Sequence, residues 1–97
     1  MQNREYYLYI TMNWYRTVIY VGVTGNLDVR MAQHKSREVN GFTSKYFIDR
    51  LVYYETFQYV YDAIEREKQI KRWSRSKKLN LIKTINPKLE DLSTPSR

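Results

Sequence analysis

Cysteine is absent from this 97-residue chain, which excludes disulfides and thiolate metal sites alike. No apolar run approaches the ~20 residues needed to span a bilayer. The opening residues, MQNREYYLYI, show no basic start, apolar stretch and small-residue cleavage site such as a secretory signal has. The expectation is a cytoplasmic protein with no membrane partner. Histidine occurs once, at His34, too few for a zinc site with the ligands available. Neither a GxxxxGK[ST] loop for a nucleoside triphosphate nor a GxSxG nucleophile elbow is present. Acids are scarce beside bases, with 10 Asp and Glu against 17 Lys and Arg, for a formal net charge of +7.

That balance favours an anionic partner, a nucleic acid or an acidic membrane. The charge is also unevenly placed. Residues 68–83, KQIKRWSRSKKLNLIK, hold Lys68, Lys71, Arg72, Arg75, Lys77, Lys78 and Lys83 with no acid among them. A solvated helix face is the ordinary account of such a run, but its length and lack of mixing point to phosphate contact. Ten tyrosines are the second oddity. Most suit half-buried strands, while a hydroxyl in the right place can bind phosphate or move a proton.

No repeat and no low-complexity stretch divides the chain, and its length fits one domain. The expected domain is 1–92, with a frayed tail at 93–97. Glu5–Thr11 and Val18–Val23 read as strands of a hairpin. Alternation puts Tyr20 and Gly22 on one face of the second strand, with Ile19, Val21 and Val23 on the other. Thr24-Gly25-Asn26 ends that strand, and Asn26 is a good cap for a helix over about 27–37. Gly41–Tyr46 reads as a loop or short helix and Leu51–Phe57 as a third strand. Asp62 and Glu65 form the pattern of a capping box that opens a helix to about Trp73. A last helix runs from about Arg75 to Ile85 and stops before Asn86-Pro87. The order β-β-α-β-α-α predicts an α+β fold, a small three-stranded antiparallel or mixed sheet flanked by helices.

Two inward stripes carry unexpected polar residues. Leu27, Arg30, Met31 and His34 share one face of the first helix, and Glu67 falls on the Ala63–Ile64–Ile70–Trp73 stripe of the second. A partly buried ion pair between the helices would account for them, although such pairs seldom repay their desolvation. A cleft holding Arg, His, Glu and tyrosine hydroxyls also meets the needs of phosphodiester hydrolysis. There the carboxylate holds a divalent cation, the guanidinium binds phosphate oxygens, and a phenol or imidazole takes a proton from water.

Tyr7-Leu8-Tyr9 and Tyr20-Val21-Gly22, followed by Arg30, His34, Glu65-Arg66-Glu67 and Asn86, resemble the signature of the GIY-YIG nucleases. The resemblance runs from about Tyr6 to Leu92 and is nearest to the short stand-alone bacterial (UPF0213-like) members, with Tyr7 replacing the name-giving glycine. It implies a metal-dependent endonuclease acting on DNA, with RNA as a second substrate. Tyr9, Tyr20, Arg30, His34 and Glu67 would be catalytic, with Glu67 on Mg²⁺ or Mn²⁺ and Gly22 leaving room in the cleft. Asn86 resembles a C-terminal asparagine of some members. The basic residues Lys68, Lys71, Arg72, Arg75, Lys77 and Lys78 would supply backbone affinity. Whether Tyr9 or Tyr20 is the base stays open. The rival expectation is a non-catalytic nucleic-acid-binding module that works through a protein partner, and a partner for targeting suits the enzyme as well.

Overall fold

The structure is a computed structural model that describes residues 5–36 and 47–93. The elements follow the order β1 (Tyr6–Met12), β2 (Ile19–Thr24), α1 (Leu27–Ser36), β3 (Arg50–Phe57), α2 (Val60–Lys71) and α3 (Arg75–Lys83). The segment 41–46 lies outside the described residues, as does most of the expected tail. Ser93, at the start of that tail, is held by the Asp91 carboxylate through both its N–H and its hydroxyl.

The three strands form one sheet in the order β2-β1-β3, and both pairings are antiparallel. The central strand is buried on both faces because each face of the sheet is covered. Leu8, Ile10 and Met12 of β1 join Val21, Val52, Ile70 and Ile82 in the larger core, under α2 and α3. The alternate residue Tyr9 joins Met31 and Leu51 under α1, with Tyr20 and Leu27 packed beside them. Period-two alternation along β1 thus sends its aliphatic side chains to one layer and Tyr9 to the other. A register shift between Ile10 and Thr11 lets β3 fit Val52 in as an extra residue.

The helix ends follow local chemistry, with one departure from the sequence reading. The Asn26 Oδ1 accepts the Val29 N–H at 3.1 Å and caps α1 as expected. Ser74 likewise caps α3 through the Lys77 N–H. Asp62 and Glu65, however, form no capping box. Helix α2 begins at Val60, and its cap is Tyr59, three residues before the expected Asp62, with no side-chain bond. Asp62 therefore already lies inside the first turn, where its charge suits the helix N-terminus.

The segment after α3 is fixed to β3 by the side chains of Asn86 and Asp91. Asn86 donates to the carbonyls of Val52 and Glu90 and accepts the Glu90 N–H. Lys35 at the end of α1 meets Asp91 at 2.6 Å, and Asp91 also accepts the Leu51 N–H. On the other face the Arg66 guanidinium grips both oxygens of Glu55, at 2.9 and 3.0 Å, and holds α2 against β3.

Candidate active site

The site assembles around the Tyr9 hydroxyl. Tyr9 is fully buried, and Gly22 stands directly opposite it on β2. The tyrosine ring lies across that glycine. A Cβ at position 22 would stand 2.7 Å from both the Cζ and the hydroxyl oxygen of Tyr9. The space at Gly22 is taken by the Tyr9 ring, where the resemblance implied open room in a cleft.

From α1, Arg30 and His34 reach the same oxygen. The Arg30 Nε donates to the Tyr9 hydroxyl at 3.1 Å, and His34 Nε2 lies 3.2 Å from it. The guanidinium can only donate, so the phenol accepts from Arg30, while the direction of its bond with His34 follows the imidazole tautomer. Tyr20 completes the group, its ring centroid 6.2 Å from that of Tyr9 and 6.1 Å from that of His34. The Arg30 fork is steadied at i+3 by Gln33, 3.4 Å from Nη1, a residue the sequence reading passed over despite its helical spacing.

Burial sets the protonation states. Desolvation raises the pKa of Tyr9, and the hydrogen bond and charge of Arg30 offset only part of that. Desolvation, then the charge of Arg30, hold His34 below its ordinary value, so the imidazole is neutral at pH 7. A neutral imidazole accepts from Tyr9 at Nε2 in the tautomer that carries its proton on Nδ1. That buried atom makes no hydrogen bond of good geometry, although the Ile48 backbone is near enough to favour the charged form slightly. The pKa of Arg30 is raised, first by its bond to Tyr9, with Tyr20 acting in the same direction.

Glu67 comes from α2, with its side chain 21% exposed. Its carboxylate pairs with Lys71, one turn along the helix, at 3.3 Å, and not with Arg30. The buried interhelical ion pair is thereby ruled out. The charge of Glu67 is nevertheless close enough to act on the Tyr9 phenol. Among the described residues no group of three or more His, Cys, Asp or Glu could hold a metal. One carboxylate still suits Mg²⁺, which keeps several waters and is bound through one or two carboxylates plus substrate phosphate.

Two sets of sequence candidates lie elsewhere. Asn86 is buried and spends its amide on Val52 and Glu90, so it fastens the chain end and takes no part in the tyrosine cluster. Within the basic run, Lys68, Lys71, Arg72 and Lys77 are exposed and Lys78 is half-buried. Lys77 stacks over Trp73 at 4.4 Å, and Trp73 itself packs against the larger core. Arg75 is committed to the fold through the carbonyls of Arg16 and Thr17.

Among the described residues no helix is long and apolar enough to cross a membrane. The sheet supplies Tyr9 and Tyr20, α1 brings Arg30 and His34 to them, and the charge of Glu67 on α2 reaches the same phenol. Comparison with known proteins identifies the chain further. Residues 5–80 match the GIY-YIG catalytic domain, and the chain belongs to this family of nucleases, whose substrates are nucleic acids. It is similar to UPF0213 proteins of Clostridium perfringens and Natronomonas pharaonis. The first is 38% identical over 75% of this chain and 78% of the relative, the second 32% identical over 80% and 91%. The solution structure of the UPF0213 protein of Bacillus halodurans superposes with a TM-score of 0.57 at 29% identity, covering 94% of this chain and 99% of that one.

Proposed function

We propose that this protein is a divalent-metal-dependent endonuclease that hydrolyses DNA phosphodiester bonds, with RNA as a second substrate. The observation that carries the proposal is the convergence of the Arg30 Nε and the His34 Nε2 on the buried Tyr9 hydroxyl. A buried hydroxyl needs hydrogen-bond partners of some kind, and here both partners are groups that phosphodiester hydrolysis uses, a phosphate-binding cation and a titratable base. The remaining donors of the Arg30 fork bind non-bridging phosphate oxygens. Glu67 would hold Mg²⁺ or Mn²⁺, which when bound neutralises the phosphate and stabilises the leaving oxygen.

The base is a pair. A buried phenol with a raised pKa is a poor acceptor alone, but in the tautomer with Nε2 unprotonated Tyr9 donates to His34. As water attacks phosphorus, its proton passes to the Tyr9 oxygen while the phenolic proton moves to His34 Nε2. The bond from phosphorus to the leaving oxygen breaks opposite the incoming water. Tyr20, beside Arg30, lines the phosphate pocket. The exposed cations Lys68, Arg72 and Lys77 add sequence-independent backbone affinity. Nothing in this set reads base edges.

The deciding assay is nicking of supercoiled plasmid with Mg²⁺ against the same reaction in EDTA. Open-circle product only with metal is the expected result. A homogeneous protein that retards DNA in gels and never nicks it would instead be a binding module that serves a partner.

A further inference from the structure

The loop between β1 and β2 carries two large rings that the cleavage site does not use. Trp14 and Tyr15 are 70% and 81% exposed, although rings of this size usually bury most of their surface. The loop under them is firmly built. Asn13 is buried, and its Oδ1 accepts the N–H groups of Thr17 and Val18 at 2.8 and 2.9 Å, while its amide nitrogen donates to the Thr17 hydroxyl. Arg16 is held in the left-handed region at φ 61°, a conformation that persists where the surroundings over-determine it. Arg75 supplies that constraint by donating to the carbonyls of Arg16 and Thr17.

Cations frame the rings. The Arg50 guanidinium lies 4.7 Å from the centre of the Trp14 ring and is itself anchored on the Leu89 carbonyl. Arg16 extends toward the Lys88 carbonyl. Trp14, Tyr15, Arg16 and Arg50 line one shallow recess, with no carboxylate among them.

We propose that this loop stacks an unpaired base of the nucleic-acid strand that the tyrosine site cleaves, which makes single-stranded or branched substrates the preferred class. The inference rests on the reading of the chain as a nuclease. Exposed aromatic rings beside a basic track are the physical recipe for holding single strands, because every base has a π face to stack. A base inside a duplex offers that face only at an end or a break. The guanidinium groups of Arg16 and Arg50 stand ready for the neighbouring phosphates. Arg75 begins α3 and holds the loop's backbone, so the loop that carries the rings is tied to the start of that helix. Tyr20 follows Tyr15 by five positions along the chain. The loop is therefore no more than about 18 Å from the site's second tyrosine along a fully extended backbone.

Fluorescence anisotropy in EDTA, where cleavage is silent, tests the proposal on a labelled single strand and its blunt duplex. The variants are Trp14→Ala with Tyr15→Ala, Tyr15→Ala alone as the milder change, and Trp14→Phe with Tyr15→Phe. The double alanine variant should lose single-strand affinity by on the order of tenfold or more, and Tyr15→Ala by about fivefold. The phenylalanine pair should recover most of it. Duplex affinity should stay within about twofold, and the salt slope should not move, since rings release no counterions. Quenching of 2-aminopurine in the single strand by the wild type should disappear in the double alanine variant. Unchanged single-strand affinity, or equal losses on both DNAs, would overturn the proposal and leave the rings to a protein partner. A wild type that nicks plasmid while the alanine variants bind normally rejects the loop alone. A wild type that binds neither DNA rejects the nuclease reading together with it.

Discussion

Gly22→Ala is a test of whether the site depends on a ring lying flat against a strand. In a strand, alanine ordinarily stabilises relative to glycine by about 0.5–1 kcal/mol. Here the new methyl would stand 2.7 Å from two atoms of Tyr9 and 2.9 Å from a third. Ordinary carbon contacts need about 3.5–4.0 Å, so one partner must yield by close to an ångström. Tyr9 cannot yield freely, because it is wholly buried with Met31 and Leu51 and its hydroxyl is tied to Arg30 and His34. Overpacking of this kind costs about 1–3 kcal/mol, and a displaced, unsatisfied buried hydroxyl about 1–3 kcal/mol more. Offset by the strand preference, the net loss should be about 1–5 kcal/mol, or roughly 4–40 °C in Tm at about 4–8 °C per kcal/mol for a domain of this size. Cleavage should fall with it. In a Tyr9→Leu background the three clashing atoms are gone, so the same substitution should cost less than about 1 kcal/mol. Thermal unfolding followed by circular dichroism on the four proteins closes the cycle. A Gly22→Ala protein that melts within about 2 °C of wild type and still nicks plasmid would refute the reasoning, as would an equal cost in both backgrounds.

Three further outcomes follow from the same geometry. Glu67→Gln breaks only a partly exposed i,i+4 pair with Lys71, so metal-free melts should shift by no more than about 0.5 kcal/mol. Its cleavage, and the extra stability that Mg²⁺ gives the wild type, should both vanish; persistent nicking would remove Glu67 from the chemistry. Arg30→Lys loses the Nε–H that holds Tyr9 together with the planar fork, so kcat should drop by about 100-fold while DNA affinity barely moves. Wild-type turnover in that variant would make Arg30 a packing residue. His34, held below its ordinary pKa by burial and by Arg30, makes stability fall as pH drops. The unfolded chain takes up its imidazole proton near pH ~6.5 while the folded site resists it. Urea melts between about pH 7.5 and 5.5 should show that slope in the wild type and lose it in His34→Gln, and cleavage should decline over the same range. A slope that survives in His34→Gln would assign it to other groups.

The sequence by itself determined the element order and the composition of the stripes. Alternation in Ile19–Val23 separates Tyr20 and Gly22 from Val21 and Val23, and helical spacing sets Arg30 and His34 one turn apart on the face that holds Met31. Those are local periodicities, and they survive into the fold because each matches a covered face of the sheet. Helix starts were less legible. Asp62 and Glu65 carry the pattern of a capping box, but α2 begins at Val60 without a side-chain cap, because tertiary packing of the helix outweighs a cap of about 1 kcal/mol.

Only the tertiary structure decided which polar atoms meet. The pairing of Tyr9 with Gly22 requires the register of β1 against β2, and the packing of α1 on that face then brings Arg30 and His34 to one oxygen. No spacing along the chain encodes that convergence. The same holds for residues whose sequence neighbours suggest another role. Asn86 becomes a clasp on Val52, and Arg75 leaves the basic track to hold the loop of Trp14 and Tyr15. A periodicity reports which face a side chain occupies. Its partner across that face depends on strand register and helix docking, which are set by the burial of the whole core at once.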